Sequence, residues 1–145
     1  MDIIKDDKYW KDKLDRRFYA EQFIWELFPD KPEDAYIDYF YEDFTELYLL
    51  FNNLSNIPAL AFGKLTGLKY LYLYNNNLTS IPDSIGKLSQ LKILNLSHNN
   101  LTNIPDSIGN LSGLKYLYLG YNNLSKQEKE KIKRLLLTQN TEIIY

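Results

Sequence analysis

The sequence offers few combinations of side chains that could serve together as a nucleophile, a general base or a set of metal ligands. The sequence contains one histidine, His98, and no cysteine, so a thiolate nucleophile and a cysteine-ligated metal site are excluded. The acidic pairs Asp6–Asp7 and Glu42–Asp43 lie in charged surroundings that are typical of solvated helix faces. Neither a G-x-x-x-x-G-K-[ST] nor a G-x-G-x-x-G phosphate-binding pattern occurs. We therefore predict a protein that is not an enzyme and uses no cofactor and no metal.

Tyrosine is the residue type whose spacing does suggest a chemistry, namely recognition. Tyr70, Tyr72 and Tyr74 alternate with leucines, and Tyr116 and Tyr118 repeat this alternation later in the chain. A tyrosine ring offers a large apolar surface with a polar tip, and it loses little rotamer entropy on contact. A row of outward tyrosines would therefore suit binding, provided that an extended element holds alternate residues on one face.

The element that would hold these tyrosines is a repeated strand. Two features recur at spacings of 23 or 24 residues, an asparagine and an Ile-Pro pair. The asparagines are Asn52, Asn76, Asn99 and Asn122, and the prolines of the pairs are Pro58, Pro82 and Pro105. Each unit fits L-x-x-L-x-L-x-x-N-x-L, with Phe44 in place of the first leucine of unit one. One such unit cannot bury its leucines alone, so we expect the units to stack as parallel coils around a leucine core.

Within each unit the pattern predicts which residues face inward. Leu71 and Leu73 are two residues apart and should share the core side of a strand, which leaves the tyrosines outside. The prolines fix φ and remove a backbone donor, so the return path of each coil should consist of short turns and not of a long helix. The four recurring asparagines are predicted to be structural, each amide bonding to backbone groups at the turn.

This pattern over residues 44–124 resembles the leucine-rich repeat family, in the type whose second half contains Ile-Pro. The resemblance implies an α/β solenoid that coils right-handedly, with a parallel sheet on the concave face. It also implies a binding role, since family members serve as adaptors, recognition modules of receptors, inhibitors or effectors. Unit one departs from the pattern: "IPALAFGKLTGL" has one extra residue and places Ala61-Phe62 where later units have Ile85 and Ile108.

A solenoid needs caps on its open ends, and the predicted domains follow from this requirement. Residues 1–43 are predicted to form a helical N-terminal cap, residues 44–124 four repeats, and residues 125–145 a C-terminal cap of a helix and a strand. The cap helix should span about 126–137 and begin with a capping box formed by Ser125 and Glu128. The strand should span 141–145, with Ile143 and Tyr145 at core positions.

The outward residues of the strands and of the strand exits form the predicted partner-binding surface, which contains seven of the 13 tyrosines. Tyrosine is enriched in binding hot spots, which favours recognition of another protein. The alternative is that neighbouring tyrosines stack on one another and serve only the fold. The predicted binding residues are Tyr48, Leu50, Phe51, Tyr70, Tyr72, Tyr74, Ile93, Asn95, His98, Tyr116, Tyr118 and Tyr121.

Charge and composition narrow the possible partners. The net charge of −2 does not favour nucleic acid or an anionic membrane, and no apolar run reaches the length of a membrane span. The charged N-terminus does not read as a signal peptide, and without cysteine we expect an intracellular, cytoplasmic protein.

The charges also divide along the chain: residues 1–43 have 13 acidic and 7 basic side chains, and residues 44–145 have 6 acidic and 10 basic. The alternative function is therefore self-assembly, as a weak homo-oligomer that uses the sheet face, the terminal edge or the oppositely charged ends.

Overall fold

The computed structural model describes residues 45–49, 53–57 and 59–145. The predicted helical cap over residues 1–43 lies outside these residues, as do Leu50, Phe51 and Asn52. Five short strands form one parallel sheet in sequential order, so each connection returns the chain by one coil. This arrangement is the predicted solenoid. The strands are β1 (Glu46–Tyr48), β2 (Tyr70–Tyr72), β3 (Ile93–Asn95), β4 (Tyr116–Tyr118) and β5 (Glu142–Ile144).

The strand register places the leucine at the centre of each strand beside its equivalent in the next coil. Leu71 pairs with Leu94, and Leu94 pairs with Leu117. All three are fully buried, as are Leu73 and Leu96 two residues further along. Because side chains alternate along a strand, this burial fixes the intervening residues on the opposite side of the sheet. The predicted division into a leucine interior and an outer face is confirmed for the described coils.

The return paths of the coils are short helices, as the prolines predicted. Two of them are 3-10 helices, Asp83–Lys87 and Asp106–Asn110, each preceded by an extended proline with φ near the fixed value of its ring. The first coil instead has a six-residue α-helix, α1 (Ala59–Lys64), within which Phe62 is 1% exposed. The extra residue of unit one therefore allows a wider helical turn with a larger core side chain.

Successive return paths approach each other closely at Gly86. A Cβ atom added there would lie 2.7 Å from the carbonyl oxygen of Ser107, too close for a real contact. The equivalent Gly109 is looser, because its nearest neighbour would be the carbonyl oxygen of Leu135 at 3.4 Å. Glycine is thus required by coil packing at the first of these positions and not at the second.

The C-terminal cap begins with helix α2 (Lys126–Leu135), close to the predicted range. Ser125 is its N-cap, and the side chain of Ser125 accepts a hydrogen bond from the N–H of Glu128 at 3.1 Å. The buried Ile132 joins the leucine core. No helix in the described ranges is long and apolar enough to cross a bilayer.

The second half of the predicted capping box is wrong, because the Glu128 carboxylate has a different partner. It accepts a hydrogen bond at 2.8 Å from the backbone N–H of Ile104, in the preceding coil. The ammonium group of Lys131 lies 2.7 Å from the same carboxylate and donates to the carbonyl oxygen of Ile104 at 2.8 Å. The two side chains therefore bracket one backbone residue and fasten the cap helix to the coil before it.

The core position predicted for Tyr145 is also wrong. Ile143 pairs with Leu117 and packs half-buried against the core, but Tyr145 is 42% exposed. Strand β5 ends at Ile144, so the alternation no longer directs the next side chain inward. The ring of Tyr145 lies instead beneath the Lys129 ammonium, 4.8 Å from it.

Candidate partner-binding surface

A ladder of asparagines supports the corners where strands β2, β3 and β4 end. Asn99 shows the pattern: its side-chain oxygen accepts from the N–H of Leu78 at 3.0 Å. Its amide nitrogen donates to the carbonyl oxygens of Leu73 and Leu96, both at 3.0 Å. Equivalent bonds recur one coil earlier and one coil later. The predicted structural role is confirmed for Asn76, Asn99 and Asn122, which we call the asparagine ladder.

On the side of the sheet away from the core, outward side chains form two columns, which we call the sheet face. The strand register brings the members of each column side by side, as predicted. Strand β5 adds one residue to each column, which the predicted binding set did not include. The first column is Glu46, Tyr70, Ile93, Tyr116 and Glu142, and the second is Tyr48, Tyr72, Asn95, Tyr118 and Ile144.

The tyrosines of the sheet face partly cover one another. The rings of Tyr48 and Tyr72 stack at a centroid distance of 4.7 Å with 8° between their planes. Those of Tyr116 and Tyr118 lie 6.4 Å apart at 28°. Tyr116 is the most exposed tyrosine of the sheet face, at 39%, and the others are half-buried. Stacking within the face, the alternative use of these rings, therefore occurs, and it leaves part of each ring in contact with water.

The Tyr72 hydroxyl on this face binds its proton more tightly than an ordinary tyrosine does. Burial among the neighbouring side chains raises the pKa of Tyr72, and the negative charge of Glu46 adds to this effect. The Glu46 carboxylate also accepts a hydrogen bond from the hydroxyl of Tyr48 at 2.9 Å. The Asn95 side chain is held as well, because its oxygen accepts from the N–H of Ser97 at 3.1 Å. The face thus presents preorganised rings with polar tips.

Beside the ladder runs the strand-exit column, which consists of Asn75, His98 and Tyr121. All three have left-handed backbones, with φ of 58°, 53° and 56°, and all three are exposed. The rings of His98 and Tyr121 stack at 4.2 Å and 17°. Sequence reasoning placed these residues together but missed their backbone conformation. Asparagine and histidine adopt this conformation more often than most residues, so Asn75 and His98 were the available signals, whereas Tyr121 gave none.

Most of the residues predicted to bind a partner are therefore brought together. Two of the predicted residues, Leu50 and Phe51, lie outside the described residues. Contact with a partner stays a prediction for the whole set. Within the described ranges, no three His, Asp or Glu side chains gather in a group suited to hold a metal ion. Seven predicted residues lie on the sheet face, Tyr74 lies two residues after the end of β2, and His98 and Tyr121 lie in the strand-exit column.

Comparison with known proteins identifies the scaffold that holds this surface. A family model described as "Leucine rich repeat" matches residues 44–101, 75–124 and 89–141, together more than half of the chain. The chain belongs to the leucine-rich repeat family. The leucine-rich repeat fold is commonly a protein–protein interaction module, and the family is typically non-enzymatic.

Several solved leucine-rich repeat structures are similar to this chain. A leucine-rich repeat protein of Leptospira interrogans is 38% identical with a TM-score of 0.66, over 70% of this chain and 25% of that one. The Arabidopsis receptor kinase HAESA, solved in complex with the peptide hormone IDA and the co-receptor SERK1, is 34% identical with a TM-score of 0.51, over 62% and 15%.

The leucine-rich repeat domain of APL1B, 20% identical over 69% of this chain and 30% of that one, shares the fold alone, with a TM-score of 0.60. The chain thus spans less than a third of the length of each of these three structures. No match was found among curated proteins.

Proposed function

We propose that this chain recognises another protein through its sheet face and does so without catalysis. The observation that supports this most is the arrangement of the two tyrosine columns. The leucine core and the asparagine ladder are complete without these rings, yet the strand register places them side by side on one surface. Rows of large amphipathic rings in water are typical of protein interfaces.

The family supports a protein or peptide as the ligand. Leucine-rich repeats are commonly interaction modules, and the HAESA relative was solved with a peptide hormone and a co-receptor bound. The outward rings of this chain stack on one another with little freedom left to lose, so ordering them on binding would cost little entropy. A partner segment lying across the columns would cover the exposed part of each ring.

The test compares two double variants, one on the sheet face and one away from it. Tyr116→Ala/Tyr118→Ala removes the rings of β4, which include the most exposed tyrosine of the sheet face. The control, Ser89→Ala/Ser112→Ala, changes two exposed side chains that follow the return-path helices. Partners are isolated by quantitative pull-down, purified, and titrated by calorimetry against each variant after its folding has been checked by circular dichroism.

We expect the tyrosine variant to lose a partner that the wild type and the serine variant both bind. An affinity weakened by about 1,000-fold would correspond to two hot-spot rings at about 2 kcal/mol each. If the folded tyrosine variant binds every partner with the affinity of the wild type, the sheet face is not the binding surface.

Self-assembly remains the second candidate, and sedimentation at low and high salt separates it from recognition of a different protein. A monomer under both conditions supports a separate partner. A dimer that dissociates in salt favours association of the oppositely charged ends, because such contacts are screened. A dimer that persists in salt but is lost in Tyr116→Ala/Tyr118→Ala assigns the sheet face to a second copy.

A further inference from the structure

Tyr121 combines high exposure with an unfavourable backbone. It is 79% exposed, more than any other tyrosine in the described ranges, and its φ is 56°. The left-handed region brings the Cβ of a residue close to its carbonyl oxygen, so it is costly for residues other than glycine, and asparagine, aspartate and histidine adopt it more often than tyrosine does. His98, one coil earlier, has the same conformation, with φ of 53°.

The turn itself does not require either ring. Asn75 occupies the same position two coils before Tyr121 with nearly the same φ, and asparagine is well suited to it. A backbone outlier that the fold could avoid by a simple substitution is a reason to look for function at that place.

The two rings form a platform with one open side. They stack at 4.2 Å, so each covers one face of the other. Since Tyr121 nevertheless remains 79% exposed, its opposite face is open to solvent. A third aromatic ring placed there would continue the stack, with the offset geometry and spacing that such pairs prefer.

The net charge of the repeats and the cap indicates the kind of segment that would supply this ring. Residues 44–145 have 10 basic and 6 acidic side chains. Lys126 and Lys129 follow Tyr121 in the cap helix, and Lys69, Lys92 and Lys115 flank the starts of the strands. A partner segment with acidic residues on either side of the ring would be attracted to this surface.

We propose that Tyr121, backed by His98, anchors the partner-binding surface by receiving an aromatic side chain from an acidic segment of the partner. This inference rests on the proposed function and names the chemistry of its ligand. It implies that the left-handed backbones of His98 and Tyr121, which hold the platform, lower the stability of the folded chain.

The first test measures that loss of stability without any ligand. The variant His98→Asn/Tyr121→Asn removes two strained residues and one stacked pair, so its unfolding equilibrium constant in urea should fall about fivefold. The converse variant, Asn75→Tyr, should raise that constant by a similar factor. A double asparagine variant that is no more stable than the wild type would overturn the claim that the rings strain the turn.

The second test uses three synthetic peptides: one of aspartate and glutamate with a single central tryptophan, one with leucine in place of tryptophan, and one with lysine in place of the acidic residues. Each is titrated against the isotope-labelled chain by NMR. The acidic tryptophan peptide should bind about fivefold more tightly than the leucine peptide, the worth of one aromatic pair. It should also bind more tightly than the lysine peptide.

The variants separate this inference from the function on which it rests. In His98→Asn/Tyr121→Asn, the preference for tryptophan over leucine should disappear. In Tyr116→Ala/Tyr118→Ala, both acidic peptides should weaken while the preference remains. Equal binding of the two acidic peptides by the wild type, or a preference that survives in the double asparagine variant, would overturn the platform. A different result would instead contradict binding by the sheet face: the preference is lost in the double asparagine variant, but the Tyr116→Ala/Tyr118→Ala variant binds both acidic peptides as tightly as the wild type.

Discussion

At each described strand exit, two neighbouring residues share one turn and have opposite roles. The second residue of each pair belongs to the asparagine ladder, and Asn76 and Asn99 are only 6% exposed. The first residue belongs to the strand-exit column, is exposed, and is asparagine, histidine or tyrosine in successive coils although φ hardly changes. The fold therefore specifies the buried amide and leaves its neighbour free to vary. The residue that varies is the one that can adapt to a partner.

Removing a ladder amide should give the largest effect on stability. Asn99→Ala leaves the N–H of Leu78 without its partner in a buried site, and it removes one of the two asparagine donors to each of the carbonyl oxygens of Leu73 and Leu96. We expect the free energy of unfolding to fall by about 3–5 kcal/mol. The same substitution at the next residue, Asn100→Ala, changes an exposed side chain and should cost less than about 0.5 kcal/mol. Urea denaturation of both variants checks this, and equal losses would break the comparison.

The return paths allow a similar comparison between two glycines at equivalent positions. In Gly86→Ala the new methyl group would meet the Ser107 carbonyl oxygen at 2.7 Å, and backbone cannot move aside cheaply. We expect a loss of about 1–3 kcal/mol. Gly109→Ala meets its nearest neighbour at 3.4 Å and should be neutral, or slightly stabilising because alanine restricts the unfolded chain. Thermal unfolding that ranks the two variants in the reverse order would contradict the close approach of the coils.

The cap helix extends the comparison to charged side chains. Glu128→Ala removes the acceptor of the Ile104 N–H and the partner of Lys131, so we expect a loss of about 1–2 kcal/mol. Glu130→Ala, two residues away, breaks an exposed pair with Lys133 and should cost less than about 0.5 kcal/mol. Denaturant midpoints measured side by side test the difference. A neutral Glu128→Ala would show that the bracket around Ile104 does not fasten the cap.

High pH should have the smallest effect, and its sign follows from three groups. The hydrogen bond to Glu128 raises the pKa of Lys131, and burial raises the pKa values of Tyr72 and Tyr145. Each group therefore binds its proton more tightly in the folded chain, so its contribution is complete below its ordinary pKa and is lost as pH rises through the folded value. The urea midpoint should fall as the pH rises above about 10. The fall should be smaller in Glu128→Ala, and an unchanged slope would show that Lys131 contributes nothing to it.

The sequence predicted the parts of the fold that repeat. Leucines two residues apart, recurring every 23 or 24 residues, determined the strands, their register and the buried side of the sheet. The Ile-Pro pairs predicted short return paths, and the recurrence of the asparagines at the turns predicted that their side chains are buried there. These predictions succeeded because each depends on the spacing of residues within one repeat, and the stacked repeats share that spacing.

What the sequence did not reveal depends on contacts between distant residues. The Glu128 carboxylate accepts its hydrogen bond from the N–H of Ile104, 24 residues earlier in the preceding coil, and not from the start of its own helix. Nothing in the sequence predicted the left-handed backbone of Tyr121, since tyrosine rarely adopts that conformation. Tyr145 continued the alternation in sequence, but strand β5 ends before it. For the candidate site, the sequence predicted which rings share a surface but not how far each is exposed.

The most direct measurement compares the two neighbours in one turn, Tyr121 and Asn122, for stability and for binding of the acidic tryptophan peptide. We predict that Asn122→Ala lowers the free energy of unfolding by more than about 2 kcal/mol and leaves the peptide affinity of the folded chain unchanged. Tyr121→Ala should change stability by less than about 0.5 kcal/mol and remove the preference for tryptophan over leucine. If both substitutions reduce stability and binding together, the division between a residue that holds the turn and a residue that meets the partner is contradicted.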